Sequence, residues 1–235
     1  MKIELKNVSK SFGRTQALDQ VNVQFGGQKI YGLLGNNGAG KSTMLNIITS
    51  RYIADTGEVT LDGLPMRDND MALGQIYMMS EENLYPETMT VKDAFKTAAY
   101  FYPLFDKKYA QSLAGLFQLD TKKKITGLST GYKSIFKIIM ALSVNALFLL
   151  LDEPTLGLDA THRDMFYKQL LERYSKNPCT VIMSTHLISE VASIIEHCVI
   201  IKDGRIIKDA PCEELGISEL NLQQYYLDLM KEESA

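Results

Sequence analysis

The stretch Ile30-Tyr-Gly-Leu-Leu34, followed by Gly35-Asn-Asn-Gly-Ala-Gly40-Lys41-Ser42-Thr43, limits the fold of this chain more than any other. An apolar run ends in glycines, then come Lys-Ser-Thr, then apolar residues at helical spacing: Met44, Leu45, Ile47 and Ile48. That order predicts a strand, a tight loop and a helix. Gly, four residues, then Gly-Lys-Ser is the phosphate-binding P-loop pattern. Glycines let successive backbone N–H groups turn toward one anion. The start of the following helix adds unpaired N–H groups and the positive end of its dipole. In this pattern Lys41 is expected to hold the β- and γ-phosphates and the Ser42 hydroxyl to ligate Mg²⁺. The plainer alternative is an ordinary Gly-rich turn between strand and helix, and the flanking pattern argues against it.

The 235 residues suffice for one large domain or two small ones. At that length roughly 70–75% of the unfolded chain's surface can be buried. An apolar fraction of 46% and a charged fraction of 23% are ordinary for a globular protein. The net charge of −3 gives no basic attraction to nucleic acid or anionic lipid. Cys179, Cys198 and Cys212 are far apart and form no CxxC, which fits a reducing cytosol better than a disulfide framework or a zinc site. The opening Met-Lys-Ile-Glu-Leu-Lys alternates in charge, so no secretory leader is expected. The longest apolar run, Ala146–Leu151, is too short to cross a bilayer. Any membrane span is therefore expected from another chain.

Residues 2–8 alternate polar and apolar, and Val21, Val23 and Phe25 repeat the pattern, predicting strands covered on one face. Further strands are predicted at Lys29–Leu34, Glu58–Leu61 and Ile76–Met79. From Pro86 to Ser143 strand signals vanish and helical spacing with many aromatics takes over: Phe95, Tyr100, Phe101, Tyr102, Phe105, Tyr109 and Phe117. This predicts an α-helical subdomain inserted into an α/β core. Strands are predicted again at Leu147–Leu151, a fully apolar run typical of a buried parallel strand, and at Thr180–Met183. Helices are predicted over 161–174, over Leu187–Ile195 and over about Glu219–Glu233. Asp203-Gly204 between Val199–Ile201 and Ile206–Ile207 signals a hairpin. The expected organisation is one domain over 1–235. Its α/β core is 1–85 with 144–210, its helical subdomain 86–143 and its C-terminal tail 211–235.

A P-loop needs a carboxylate at the end of a neighbouring strand. Asp152 ends the apolar run and is expected to hold Mg²⁺, as the Walker B aspartate does. Glu153 follows, placed to polarise an attacking water as general base. The competing reading, a strand simply capped by Asp-Glu-Pro, does not explain two adjacent acids after a fully apolar run. His186, in Ser184-Thr185-His186, follows the next buried strand, where ligands bind in open α/β sheets. It is a candidate donor to the γ-phosphate, orienting Glu153 or the water. His162 and His197 are assigned no role.

Together these motifs resemble the nucleotide-binding domain of an ABC transporter, and the resemblance covers nearly the whole chain. Gly35–Thr43 matches Walker A, so that Asn37, Gly38, Ala39, Gly40, Lys41, Ser42 and Thr43 are expected to bind nucleotide. Leu147–Asp152 matches Walker B, with Glu153 as the catalytic glutamate. Gly157-Leu158-Asp159 matches the D-loop, and His186 the switch histidine. Phe12, in Lys10-Ser11-Phe12-Gly13, falls where the family stacks an aromatic on adenine; the alternative is a core Phe. The implied fold is an α/β P-loop NTPase (RecA-like) core with a mostly parallel sheet, an N-terminal antiparallel β element and the helical insertion.

Two positions depart from the family pattern. The signature Leu-Ser-Gly-Gly-Gln reads Leu128-Ser129-Thr130-Gly131-Tyr132. Ser129 and Gly131 keep the groups expected to grip the γ-phosphate on a facing subunit, while Tyr132 replaces the Gln of the ribose side. After Ile76–Met79 a Gln is expected and the chain reads Ser80-Glu81-Glu82; Glu81, in that register, is a candidate Mg²⁺ contact that adds charge beside the phosphates.

The resemblance implies a pair of such domains closing head to tail on two ATP, as a homodimer or with a paralogue. It also implies a transmembrane partner seated near the helical subdomain, at the inner face of the cell membrane, with the aromatic run Tyr100–Phe105 as groove lining or, more simply, core. Export of peptide, drug or lipid-like cargo is the expected direction, by analogy with single-domain exporters. The competing function is a soluble ABC-type ATPase acting as an assembly or regulatory scaffold. No nucleic-acid partner is expected, because the interval Ser42–Leu128 lacks the long coiled coil of DNA-repair relatives.

Overall fold

Alternation in the first strands and unbroken apolar runs in the later ones produce two kinds of sheet. A computed structural model describes residues 1–82, 85–86, 88–216 and 221–232. In chain order the elements begin β1 (Lys2–Phe12), β2 (Thr15–Gly26), β3 (Ile30–Leu34), α1 (Lys41–Ile48), β4 (Thr56–Leu61), β5 (Leu64–Pro65), α2 (Asp70–Leu73) and β6 (Ile76–Met79). Three helices follow, α3 (Val91–Phe101), α4 (Lys107–Leu116) and α5 (Thr130–Ser143), with a 3₁₀ turn at Ile125–Gly127. The chain continues with β7 (Phe148–Asp152), α6 (Ala160–Lys176), β8 (Thr180–Thr185), α7 (Ile188–Val191), β9 (His197–Lys202), β10 (Arg205–Pro211) and α8 (Leu222–Glu232). The ends of the predicted C-terminal helix, residues 219, 220 and 233, lie outside the described residues. Among the described residues no helix is long and apolar enough to cross a membrane. The chain forms two compact units, Met1–Leu73 with Thr180–Ala235, and Gly74–Cys179.

In the first unit the alternating segments make an antiparallel sheet in the order β2-β1-β4-β5. Ile3, Leu5 and Val8 on β1 and Val21, Val23 and Phe25 on β2 are its buried face. Both strands run longer than the alternation alone predicts, because β1 continues past an irregularity at Asn7, whose φ is +50°. The N–H of Asn7 is satisfied there by the Asn22 side chain at 2.9 Å, so the strand bends without stranding a donor. The unbroken apolar segments pair differently. β3 is buried along its whole length and lies parallel to β8 on one side and β9 on the other. β9 turns back into antiparallel β10 through Asp203 and Gly204, both at positive φ (+47° and +77°), the hairpin the Asp-Gly pair predicts.

α7 is shorter than the predicted Leu187–Ile195. The N–H groups of Ile194 and Ile195 both reach back to the Val191 carbonyl. The next residue, Glu196, is then committed to β3: its N–H donates to the Ile30 carbonyl at 2.8 Å and its carboxylate accepts from the Ile30 N–H at 2.8 Å. That clamp turns the chain into β9 before a third helical turn can form.

In the second unit β6 and β7 run parallel, every residue of both buried. On α3 the buried positions Val91, Ala94, Phe95 and Ala98 follow helical spacing. Phe95 stacks on Phe136 of α5 at 6.3 Å between centroids, and Tyr85 meets the same ring edge-on at 5.0 Å. The core reading of the aromatic run therefore holds for Phe105 and fails for its start. Tyr100 and Phe101 lie off the buried stripe and are 83% and 70% exposed, with Leu104 exposed beside them in sequence.

Candidate functional site

β3 delivers the chain into the glycine loop at the carboxyl end of its strand. Two of the glycines are required there by space. A Cβ on Gly35 would lie 2.5 Å from the Ile201 carbonyl oxygen, and one on Gly40 would lie 2.5 Å from the carbonyl oxygen of Ala17. Gly40 also sits at φ +110°, outside the range of L side chains, as the residue that caps α1. Gly40→Ala is expected to cost about 3 kcal/mol through strain and contact together, lowering the thermal midpoint by about 6–12 °C in a chain of this size. Thermal unfolding of the purified variant checks this.

Asn36, Asn37 and Gly38 stand exposed at the tip, while Ala39 and Gly40 are buried. Lys41 opens α1, only 5% exposed, with its Nζ donating to the carbonyls of Gly35 (2.7 Å) and Asn36 (3.2 Å). The ammonium is thus held over the loop by the loop's own backbone. Ser42 is exposed in the first turn of α1, and Thr43 is half-buried beside it. No acidic residue occupies that turn, so the positive dipole end is not offset by a side chain. Leu34 pairs with Thr185, which sets His186, exposed just past the end of β8, level with Gly35. Phe12 ends β1, 46% exposed, in edge contact with Tyr52 at 5.4 Å and with the Lys10 ammonium 5.4 Å from its ring centre. It is therefore not a core residue.

Two further anchors hold this loop. The Ala39 carbonyl accepts from the Gly204 N–H of the hairpin at 3.0 Å. The buried Tyr226 of α8 donates its hydroxyl to the Asn36 side chain at 3.1 Å. No local pattern in the sequence marks Tyr226 for this role.

The second unit carries the remaining motif residues. Asp152 is the buried last residue of β7. Glu153 follows, half-buried, with φ +46° immediately before Pro154. A left-handed residue preceding proline is doubly disfavoured, and such strain gathers at functional positions. Ser129 is the N-cap of α5, its hydroxyl accepting from the Tyr132 N–H at 3.4 Å. Gly131, in the first turn of that helix, would present a Cβ 3.0 Å from the Gly157 carbonyl oxygen, and Ser134 donates to the Leu156 carbonyl at 2.9 Å. The signature helix and the D-loop are thus packed together within this unit.

Tyr132 meets the edge of His162, which stacks on Phe117 and pairs through Nδ1 with Asp159 at 2.8 Å. Asp159 also caps α6 by accepting the His162 N–H at 2.9 Å. That backbone bond first, and the ring contact second, hold its carboxyl below the usual range. His162, given no role from sequence, is therefore the link between the Tyr132 departure and the D-loop; the Asp-x-x-His capping spacing was its signal. Past β6 the backbone carbonyls of Ser80 (2.9 Å) and Glu81 accept from Lys137 of α5. Burial, the largest influence, lowers the Lys137 pKa, with the Glu81 charge opposing. The Glu81 side chain itself is exposed. A lysine set among Ile135, Phe136, Ile138 and Ile139 was the available sign of this anchor.

A strand, glycine loop and lysine-led helix beside a second parallel strand define a P-loop NTPase. Residues 18–156 match the profile of the ABC transporter family, and the chain belongs to that family as its ATPase domain. It is 27% identical to the ABC transporter ATP-binding protein YtrB of Bacillus subtilis over 95% of this chain and 77% of that protein. It is 32% identical to a probable sulfate/thiosulfate import ATP-binding protein, CysA, of Chlorella vulgaris over 92% and 94% of the two chains. Against the ribose import ATP-binding protein RbsA of Lacticaseibacillus paracasei the identity is 28%, and the match spans only 46% of that longer protein. Among solved structures, the dimeric bacterial ABC transporter cassette MJ0796 superposes with a TM-score of 0.78 at 26% identity, over 89% of this chain and 98% of the other.

Proposed function

We propose that this chain is the ATP-hydrolysing subunit of a multi-chain transporter, pairing with a second ATPase domain around Mg-ATP and driving a separate transmembrane partner. The observation that carries the reading is the Gly35–Gly40 loop with Lys41 held over it and His186 one strand away. Lys41 holds the β- and γ-phosphates, the N–H groups from Asn37 to Thr43 cradle them, and Phe12 offers its exposed ring to the base. Ser42, Asp152 and Glu81 supply hard oxygen donors, the chemistry Mg²⁺ prefers. The bound ion would neutralise phosphate charge. Glu153 takes the proton of the attacking water, and His186 orients it. Ser129 and Gly131 engage the nucleotide of the facing subunit, so its γ-phosphate favours the closed pair.

In this reading residues 86–143 act as the subdomain that carries the signature. The exposed Tyr100, Phe101 and Leu104 are its proposed face for the transmembrane partner, with the chain at the inner surface of the cell membrane in this reading. The export direction expected from sequence gains no support from relatives named for import. Export of a peptide, drug or lipid-like cargo rests on the divergent signature Leu128–Tyr132 alone. The test is purification of the tagged chain from membranes. Mg-ATP hydrolysis together with a co-purifying polytopic subunit is the expected result; a soluble assembly without one overturns the transport reading.

A further inference from the structure

Within the second unit, the C-terminal ends of α5 and α6 and the N-terminus of α4 enclose a cleft of about 230 Å³ lined by Asp106, Tyr109, Leu142, Asn145, Arg173 and Lys176. Arg173 is 6% exposed, and its Nε and Nη1 are buried with no hydrogen-bond partner among the described residues. A guanidinium does not shed its proton to escape such a site, so an unanswered charge there is costly.

The hydrogen bonds of the polar side chains around it run to other groups. Asp106 caps α4 by accepting the Tyr109 N–H at 2.9 Å. Gln169, one turn before Arg173, accepts from the Tyr109 hydroxyl at 3.4 Å and donates to Glu172 at 3.1 Å. Asn145 uses its amide to hold the Leu104 carbonyl at 2.8 Å. Burial raises the Tyr109 pKa while the Arg173 charge opposes it, which places that charge within reach of the cleft wall. Of the charged side chains lining the cleft, Arg173 and Lys176 are cationic and Asp106 is anionic, with the Glu172 carboxylate also acting on Tyr109.

We propose that this cleft binds a small oxyanion, a phosphoryl or carboxylate group, through Arg173 with Lys176 at its side. Two orphaned N–H donors on one guanidinium suit an acceptor group carrying several oxygens, the chemistry for which arginine is selected. The volume admits such a group and is below the range of sites that enclose a drug-sized ligand.

The experiment titrates the ADP-treated full chain with inorganic phosphate, and separately with acetate, at constant ionic strength, following the side-chain ¹H–¹⁵Nε signal of Arg173 and the thermal midpoint. That signal belongs to this cleft alone, so its response is independent of whether the glycine loop holds nucleotide. The expected result is a saturable Nε shift and a midpoint raised by about 3–6 °C at ten times the dissociation constant. The acetate-induced midpoint rise vanishes in Arg173→Met, and the saturable Nε shift weakens about tenfold in Lys176→Gln, the variant that decides if Arg173→Met does not fold. Response to phosphate alone assigns a phosphoryl ligand, and response to both anions assigns a carboxylate-sized one. No saturable Nε shift with either anion, or a shift undiminished in Lys176→Gln, overturns the proposal.

Discussion

Glu153→Gln is expected to stop turnover while leaving ATP bound. Gln keeps the shape and the hydrogen bonding of Glu and cannot accept a proton at neutral pH. A positioned general base contributes about 10²–10⁴-fold, so kcat should fall by that factor with ATP affinity unchanged. With hydrolysis blocked, the ATP-bound pair should persist, visible as a dimer by light scattering in ATP and a monomer in ADP. Because Gln meets the same left-handed backbone at φ +46°, the thermal midpoint should not move, which separates lost chemistry from lost fold. Steady-state ATPase at the level of the unaltered protein would remove Glu153 from the role of base.

Lys41→Ala acts earlier, on binding itself. The Lys41 ammonium is nearly buried, held by the carbonyls of Gly35 and Asn36 at the foot of α1. Hydrogen bonds to charged groups are worth about 1.5–3 kcal/mol each. Losing two such contacts to phosphate should weaken ATP by about 10²–10⁴-fold. Equilibrium titration with a fluorescent ATP analogue reads this directly, and turnover should disappear in parallel. Retained affinity together with normal turnover would exclude Lys41 from phosphate binding.

The loop was readable because its information is local: glycine spacing, an apolar strand before it and an apolar-periodic helix after it. The predicted strand Lys29–Leu34 and the structure's Ile30–Leu34 differ by one residue for that reason. Asp152 and His186 were readable as the residues at or just past the ends of buried apolar runs. What escaped depends on contacts distant in sequence. Tyr226 reaches Asn36 from 190 positions away, and Lys137 reaches Ser80 from 57. Periodicity over Leu187–Ile195 reported a buried face correctly, yet gave no sign that Glu196 would be clamped to Ile30 and end the helix early. The exposure of Tyr100 and Phe101 was hidden because aromatic residues are so often core.

The Tyr226–Asn36 hydrogen bond gives the tail an unexpected reach. Trimming α8, or fusing a bulky tag that levers it away, amounts to loosening the Gly35–Gly40 loop from 190 residues further along the chain. Kinetic constants compared between differently tagged preparations would then partly report how firmly each one keeps its tail docked.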